Sequence, residues 1–269
     1  MQRFLVSILF LMLTLTSAVS ARAAASDPPS PLIHVNIGYP QTNYWPLFLA
    51  RDLDLFKEAG IEPHFHPFST GAPLITGIKN GELDVAWTGL ATVFILGKGI
   101  PLTYVLVTMD HSSQVSMVVK PGAGIRSFKD LKKAKAIGAP SGTCAEVSAV
   151  LATRKIGMPL SAVKISNLAP NLLLGALQND QIDTAFIWGP WDLQLREAGF
   201  KIVSKDKDYV PGHSVCGVTV AIRPAFLAQH PTVGCKMVKV QALALEAARR
   251  HPEKAIQYPK RVGFELQTR

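Results

Sequence analysis

Ile78-Lys79-Asn80-Gly81-Glu82-Leu83-Asp84-Val85-Ala86 recurs 99 residues later as Leu177-Gln178-Asn179-Asp180-Gln181-Ile182-Asp183-Thr184-Ala185. A second pair, Ile37-Gly38-Tyr39-Pro40 and Ile137-Gly138-Ala139-Pro140, repeats at 100 residues and in the same order. One such match is chance; two at nearly one offset point to two halves of the same build. Around each copy the pattern alternates between strand and helix. In the first half, strands are expected at His34–Gly38, Ile61–Pro67, Asp84–Trp87 and Leu102–Val107. Helices are expected at Trp45–Ala59, closed by Gly60, and at Ala72–Lys79. The second half offers strands Ala136–Gly138, Val163–Ile165 and Thr184–Ile187. Its helices are Ala145–Ile156, closed by Gly157, and Asn171–Gln178.

Alternation of this kind implies an α/β fold of parallel-rich sheets with helices on their faces. Val115–Val119 and Val215–Ile222 read as two crossings between lobes, forming a hinge. The chain then returns to the first lobe through a helix at Thr232–Arg250. The expected division is 31–115 plus 220–269 for lobe 1 and 116–219 for lobe 2.

The ends of the chain and its composition narrow the class. The sequence has 269 residues, 48% of them hydrophobic, which excludes a disordered chain. Arg3, the apolar run Phe4–Val19 and Ala21-Arg22-Ala23 read as a signal peptide over residues 1–23, which places the mature protein in a bacterial periplasm. The three cysteines, Cys144, Cys216 and Cys235, are too few for a disulfide scaffold, and at least one must be unpaired. A net charge of +9 permits an anionic partner. Nucleic acid is not expected for an exported protein.

Two parallel-rich lobes on a hinge place both sets of strand ends across one cleft, where small molecules bind. The candidates are therefore residues that follow strands. Tyr39, Gln41 and Thr42 follow the first strand, Thr70 and Gly71 the second, and Thr88 and Gly89 the third. In the second half, Ser141, Thr143 and Glu146 sit at a helix start, while Trp188 and Asp192 flank Gly189-Pro190. Helix-start N–H groups and hydroxyls suit an oxyanion, an indole face suits an alkyl chain or ring, and Asp192 suits an ammonium group. Helix capping competes for Thr70, Ser141 and Thr143, and core packing competes for Trp87 and Trp188.

From about Ile33 to Arg250 the chain resembles the taurine-, alkanesulfonate- and nitrate-binding proteins of bacterial ABC importers. The resemblance rests on Phe68-Ser69-Thr70-Gly71-Ala72, Gly81–Ala86, Ser127-Phe128-Lys129-Asp130-Leu131 and Ile182–Pro190, the last closest to the taurine-binding branch. It implies a type II periplasmic binding fold, capture of a small anionic or zwitterionic solute, and delivery to a membrane permease by a monomer. No cofactor or metal is implied. Gln41, Thr70, Gly71, Thr143 and Trp188 become ligand contacts by position. Val218 stands where taurine binders carry a carboxylate, and Glu146 stands where relatives often carry histidine. Family members also continue past the point at which this sequence stops, so the chain reads as shortened.

Three other readings remain open. The same fold could take nitrate, an aromatic acid or a pyrimidine. An enzyme resembling the thiamine-pyrimidine synthases needs a cysteine-rich cluster, which these scattered cysteines do not form. A metal carrier could use His64-Phe65-His66, whose two imidazoles share one strand face but lack an evident third ligand.

Overall fold

Burial at alternate residues sets the first strand, β1 (Ile33–Pro40): Val35, Ile37 and Tyr39 are buried in an apolar core, while His34 and Asn36 face the other way. The computed structural model describes residues 31–40, 44–71, 73–110, 114–162, 164–210 and 217–256. The signal-peptide segment and the candidates Gln41 and Thr42 lie outside these residues. Among the described residues no helix is long and apolar enough to cross a membrane.

Ten strands form two five-stranded sheets of identical plan. The first joins β2 (Ile61–Phe68), β1, β3 (Val85–Thr88), β10 (Gly217–Ile222) and β4 (Thr103–Asp110), in that order. The second joins β7 (Ile165–Asn167), β6 (Ile137–Ala139), β8 (Thr184–Trp188), β5 (Val115–Val119) and β9 (Lys201–Lys205). In each sheet the first three strands run parallel, and the last two pairings are antiparallel. The sheets are thus evenly mixed, because the strand entering from the other half lies fourth in order and runs against its neighbours. The chain passes from β4 in the first sheet to β5 in the second, and from β9 back to β10. These are the two crossings that the sequence implied.

Helices cover the faces. Trp45–Asp52, Leu55–Glu58, Pro224–Gln229 and Val233–Arg250 bury one face of the first sheet, and Leu74–Asn80 and Ala91–Gly97 bury the other. The helix expected at Trp45–Ala59 is broken after Asp52, where Asp54 takes a left-handed φ of 54°. Aspartate tolerates that region better than most residues, and the break lets Leu55 and Phe56 turn into the core. The helix expected from Ala72 starts at Leu74, after Pro73. In the second half, Cys144–Lys155 is the long helix, with Thr143 as its N-cap. Helices Ala91–Gly97 and Trp191–Glu197 and strand β9 are additions to the sequence reading.

The repeated motif acts alike in both halves, with the carboxylate's backbone partner shifted by one residue in the second. Asp84 donates its N–H to the Asn36 carbonyl, and its Oδ2 accepts from the Asn36 N–H at 3.0 Å and from Asn36 Nδ2 at 3.1 Å. Asp183 donates its N–H to the Ala136 carbonyl, and its Oδ2 accepts from the Lys135 N–H at 2.9 Å. The Asp84 carbonyl accepts from Arg223 N–H just after β10, as the Asp183 carbonyl accepts from Lys120 N–H just after β5. Arg223 adds an ion pair to Asp84 Oδ1 at 2.9 Å.

Asp84 is 5% exposed, so its loss strands three donors around an interior site. Asp84→Ala is expected to cost about 3–5 kcal/mol and the half-exposed Asp183→Ala about 1–2 kcal/mol, measured by urea unfolding. Equal, small effects would contradict this assignment.

Candidate functional site

The carboxyl ends of the strands meet in a cavity of about 40 Å³. Pro40, Tyr44, Gly71 and Thr88–Ala91 line it from the first half, and Gly142, Thr143, Cys144 and Trp188 from the second. A single water needs roughly 10–15 Å³ of such volume, so the space holds about three waters or a group of similar size. No lining residue among those described carries a charge.

Close backbone packing shapes the first wall. A Cβ on Gly71 would sit 2.6 Å from Ala91 Cβ and 2.7 Å from Thr88 Oγ1, so only glycine lets the β2 loop close over the loop after β3. Tyr44 is buried, and its hydroxyl accepts the Gly89 N–H at 3.1 Å and bonds to Thr88. Burial pushes the Tyr44 hydroxyl up to about 12, and those two bonds oppose the shift without cancelling it. Tyr44 therefore stays a neutral phenol that braces the wall.

The second wall is a helix start. Gly142, Thr143 and Cys144 bring the N-terminus of Cys144–Lys155 to the cavity, with its partial positive charge. Several donors there are already engaged. Thr143 Oγ1 donates to the Pro140 carbonyl at 2.6 Å and accepts from Ala145 N–H at 3.3 Å. Glu146 accepts from Ser141 Oγ at 3.0 Å and from Gly142 N–H at 2.8 Å, so its carboxylate offsets part of the dipole. Trp188, 9% exposed, lines the cavity, and its Nε1 is buried with no partner among the described residues.

Of the sequence candidates, Gly71, Thr88, Gly89, Thr143 and Trp188 come together around this space. Tyr39 does not: it packs edge-on to Phe48 and Phe65 in the core of the first sheet. Thr70 is half-buried beside Gly71, and Ser141 and Glu146 sit behind the helix start. Asp192 lies elsewhere, bonded through Oδ2 to Ser116 Oγ at 2.6 Å and lining a groove with Arg126, Arg196, Lys201 and Lys205. Val218 is a core residue, 1% exposed. Tyr44 and Leu90 were missed, because a tyrosine opening a helix and a leucine after a turn carry no signal of their own. Cys144 is disulfide-bonded, whereas Cys235 is a free, exposed thiol.

A family model, NMT1/THI5-like, matches residues 41–255. The chain belongs to the NMT1/THI5-like family. It is 24% identical over 233 residues to the taurine-binding periplasmic protein of Escherichia coli, covering 86% of this chain and 71% of that one. Among solved structures it is similar to the periplasmic aliphatic sulphonate-binding protein of Escherichia coli, with TM-score 0.73, 19% identity and coverage of 86% and 79% of the two chains. The alkanesulfonate-binding protein of Xanthomonas axonopodis, solved bound to MOPS, gives TM-score 0.74 at 20% identity, covering 87% of this chain and 81% of that one. These likenesses establish the type II periplasmic binding fold, as the sequence motifs implied.

Because the Tyr44 pKa is raised on folding, the unfolded chain releases its proton first, and stability present below about pH 10 is lost as pH rises towards about 12. Tyr44→Phe is expected to shrink that alkaline loss, read from unfolding midpoints between pH 9 and 12 (roughly, spanning the ordinary tyrosine range). Tyr39 and Tyr209, also raised by burial, contribute to the remainder. An unchanged alkaline profile in Tyr44→Phe would contradict the burial argument.

Proposed function

We propose that this chain is the solute-binding component of an ABC import system, capturing a small sulfonate or zwitterion of the taurine type and handing it to a membrane permease. The observation that carries the reading is the uncharged cavity, walled from both halves by strand-end loops and by one helix start. An anionic head group in such a site is held by N–H dipoles, each charge-assisted hydrogen bond contributing about 1.5–3 kcal/mol. Three or four of these, less the cost of closing the lobes, suit micromolar binding at about −8 kcal/mol. The names of the related proteins, taurine-binding and sulfonate-binding, support the same solute class.

On this reading 31–115 with 220–269 and 116–219 act as two lobes that close on the solute, and the protein works as a monomer without chemistry on its cargo. The disulfide at Cys144 fits an oxidising compartment and so supports export through the N-terminal segment to the periplasm. Pro40, Leu90, Ala91 and the Trp188 ring give the cavity apolar surface for the carbon end of the solute.

A thermal-shift panel of taurine, alkanesulfonates, nitrate, carboxylates and pyrimidines tests the proposal. A bound solute at about 100 times its dissociation constant adds roughly 2.7 kcal/mol, a rise of several degrees in Tm. Sulfonates are expected to stabilise. A response confined to pyrimidines or carboxylates, or turnover of any compound, would overturn the assignment. Trp188→Ala is expected to weaken sulfonate binding about tenfold or more by removing an apolar wall. Glu146→Gln removes a negative charge behind the helix start and is expected to strengthen it by about twofold to fivefold in calorimetric titration.

A further inference from the structure

At the far end of the first sheet from the cavity, His34 and His64 meet. His34 Nδ1 lies 3.2 Å from His64 Nε2, and the two rings are nearly coplanar, inclined by 14° with centroids 5.5 Å apart. Both side chains are exposed, on adjacent parallel strands whose register sets His34 beside Glu62 and Asn36 beside His64. Residues that pair in a sheet share a face, so His34, Glu62 and His64 project on the same side. The neighbouring histidine is engaged differently. His66 Nε2 bonds Asn36 Oδ1 at 3.0 Å, and Asn36 is in turn tied to Asp84. The pairing that the sequence suggested, His64 with His66, is therefore resolved into His64 with His34.

We propose that His34 Nδ1 and His64 Nε2 form a two-imidazole site for a divalent transition metal, with Zn²⁺ the best fit. Two zinc–imidazole bonds of about 2.0–2.1 Å at a tetrahedral angle separate their nitrogens by about 3.3 Å. The observed 3.2 Å is close to that span, while a square-planar ion with bonds of about 2.0 Å would draw the nitrogens to about 2.8 Å. The contact itself requires one ring nitrogen to donate and the other to accept, and a tetrahedral metal in place of the shared hydrogen turns each ring by about 35°. No group of three or more His, Cys, Asp or Glu side chains converges on a metal-sized space among the described residues, so water completes the coordination. The strand backbone holds both ligands in place, which limits the ordering that binding requires.

The site is separate from the solute cavity. His34 and Pro40 stand six residues apart on β1, about 20 Å at the rise of an extended strand. Metal uptake and solute uptake therefore report independently, and failure of one leaves the other standing.

The test uses the full chain without an affinity tag and with Cys235→Ser, which removes the exposed free thiol as a competing ligand. Zn²⁺ is titrated in competition with a chromophoric chelator at neutral pH. One equivalent is expected to bind, His34→Asn and His64→Asn each to weaken it about tenfold or more, and His66→Asn to leave it within about twofold. Affinity unchanged in His34→Asn and His64→Asn, or no uptake by the parent chain at millimolar Zn²⁺, would overturn the site. Paramagnetic broadening by Co²⁺, which accepts the same tetrahedral geometry, of imidazole signals in the unsubstituted histidine set gives a second readout that needs no variant at these positions. Broadening centred on His34 and His64 supports the assignment, and broadening centred on other histidines refutes it.

Discussion

In each half of this protein an aspartate just ahead of the third strand accepts a backbone N–H from within or just before the first, and much of the architecture follows from that contact. Asp84 and Asp183 each bind the first strand through backbone N–H and side chain together, and each offers its carbonyl to the residue following a strand from the other part of the chain. One residue thus fixes the register of three strands. Its neighbours obey the same logic. Gly38 lies against Leu74 and Leu83, and Gly138 against Leu173 and Ile182, so closely that a Cβ on either would meet them at 2.2–2.9 Å. The loop before the third strand and the helix before it lock onto a glycine of the first strand in both sheets. The two exchanged strands, β5 and β10, then run antiparallel to the rest and bind the halves into one chain path.

This plan explains why the cavity is walled by backbone dipoles rather than by charged side chains. Parallel strands end where helix starts begin, so N–H groups collect at the carboxyl edges of both sheets without any ionised side chain being brought there. Tyr44 holds one loop, Gly71 allows a second to approach, and Thr143 caps the helix that supplies the third wall. Glu146 tempers the field at that helix start through its bonds to Ser141 and Gly142.

The repeat was legible in the sequence because it rests on residues with no substitute: a glycine under a leucine, an aspartate over a strand N–H. Helix continuity was less legible. Leu49, Leu53 and Phe56 keep helical spacing across 45–59, yet tertiary packing of Leu55 and Phe56 breaks the helix at Asp54. Position after a strand led to Gly71, Thr88, Gly89, Thr143 and Trp188, which line the cavity, but it cannot give the direction of a side chain. Tyr39, at an odd position of β1, turns with Val35 and Ile37 into the core. Asp192 turns towards Ser116 because that hydroxyl offers a buried partner. Tyr44 was invisible, since its role depends on Gly89, 45 residues away.

A crystal structure of the full chain grown with taurine or a short alkanesulfonate tests the central claim most directly. Head-group oxygens are expected within hydrogen-bonding distance of the Thr143–Cys144 backbone, with the carbon end against Leu90, Ala91 and the Trp188 ring. A sulfonate seated instead among Arg126, Arg196, Lys201 and Lys205, with the cavity filled only by water, would contradict it.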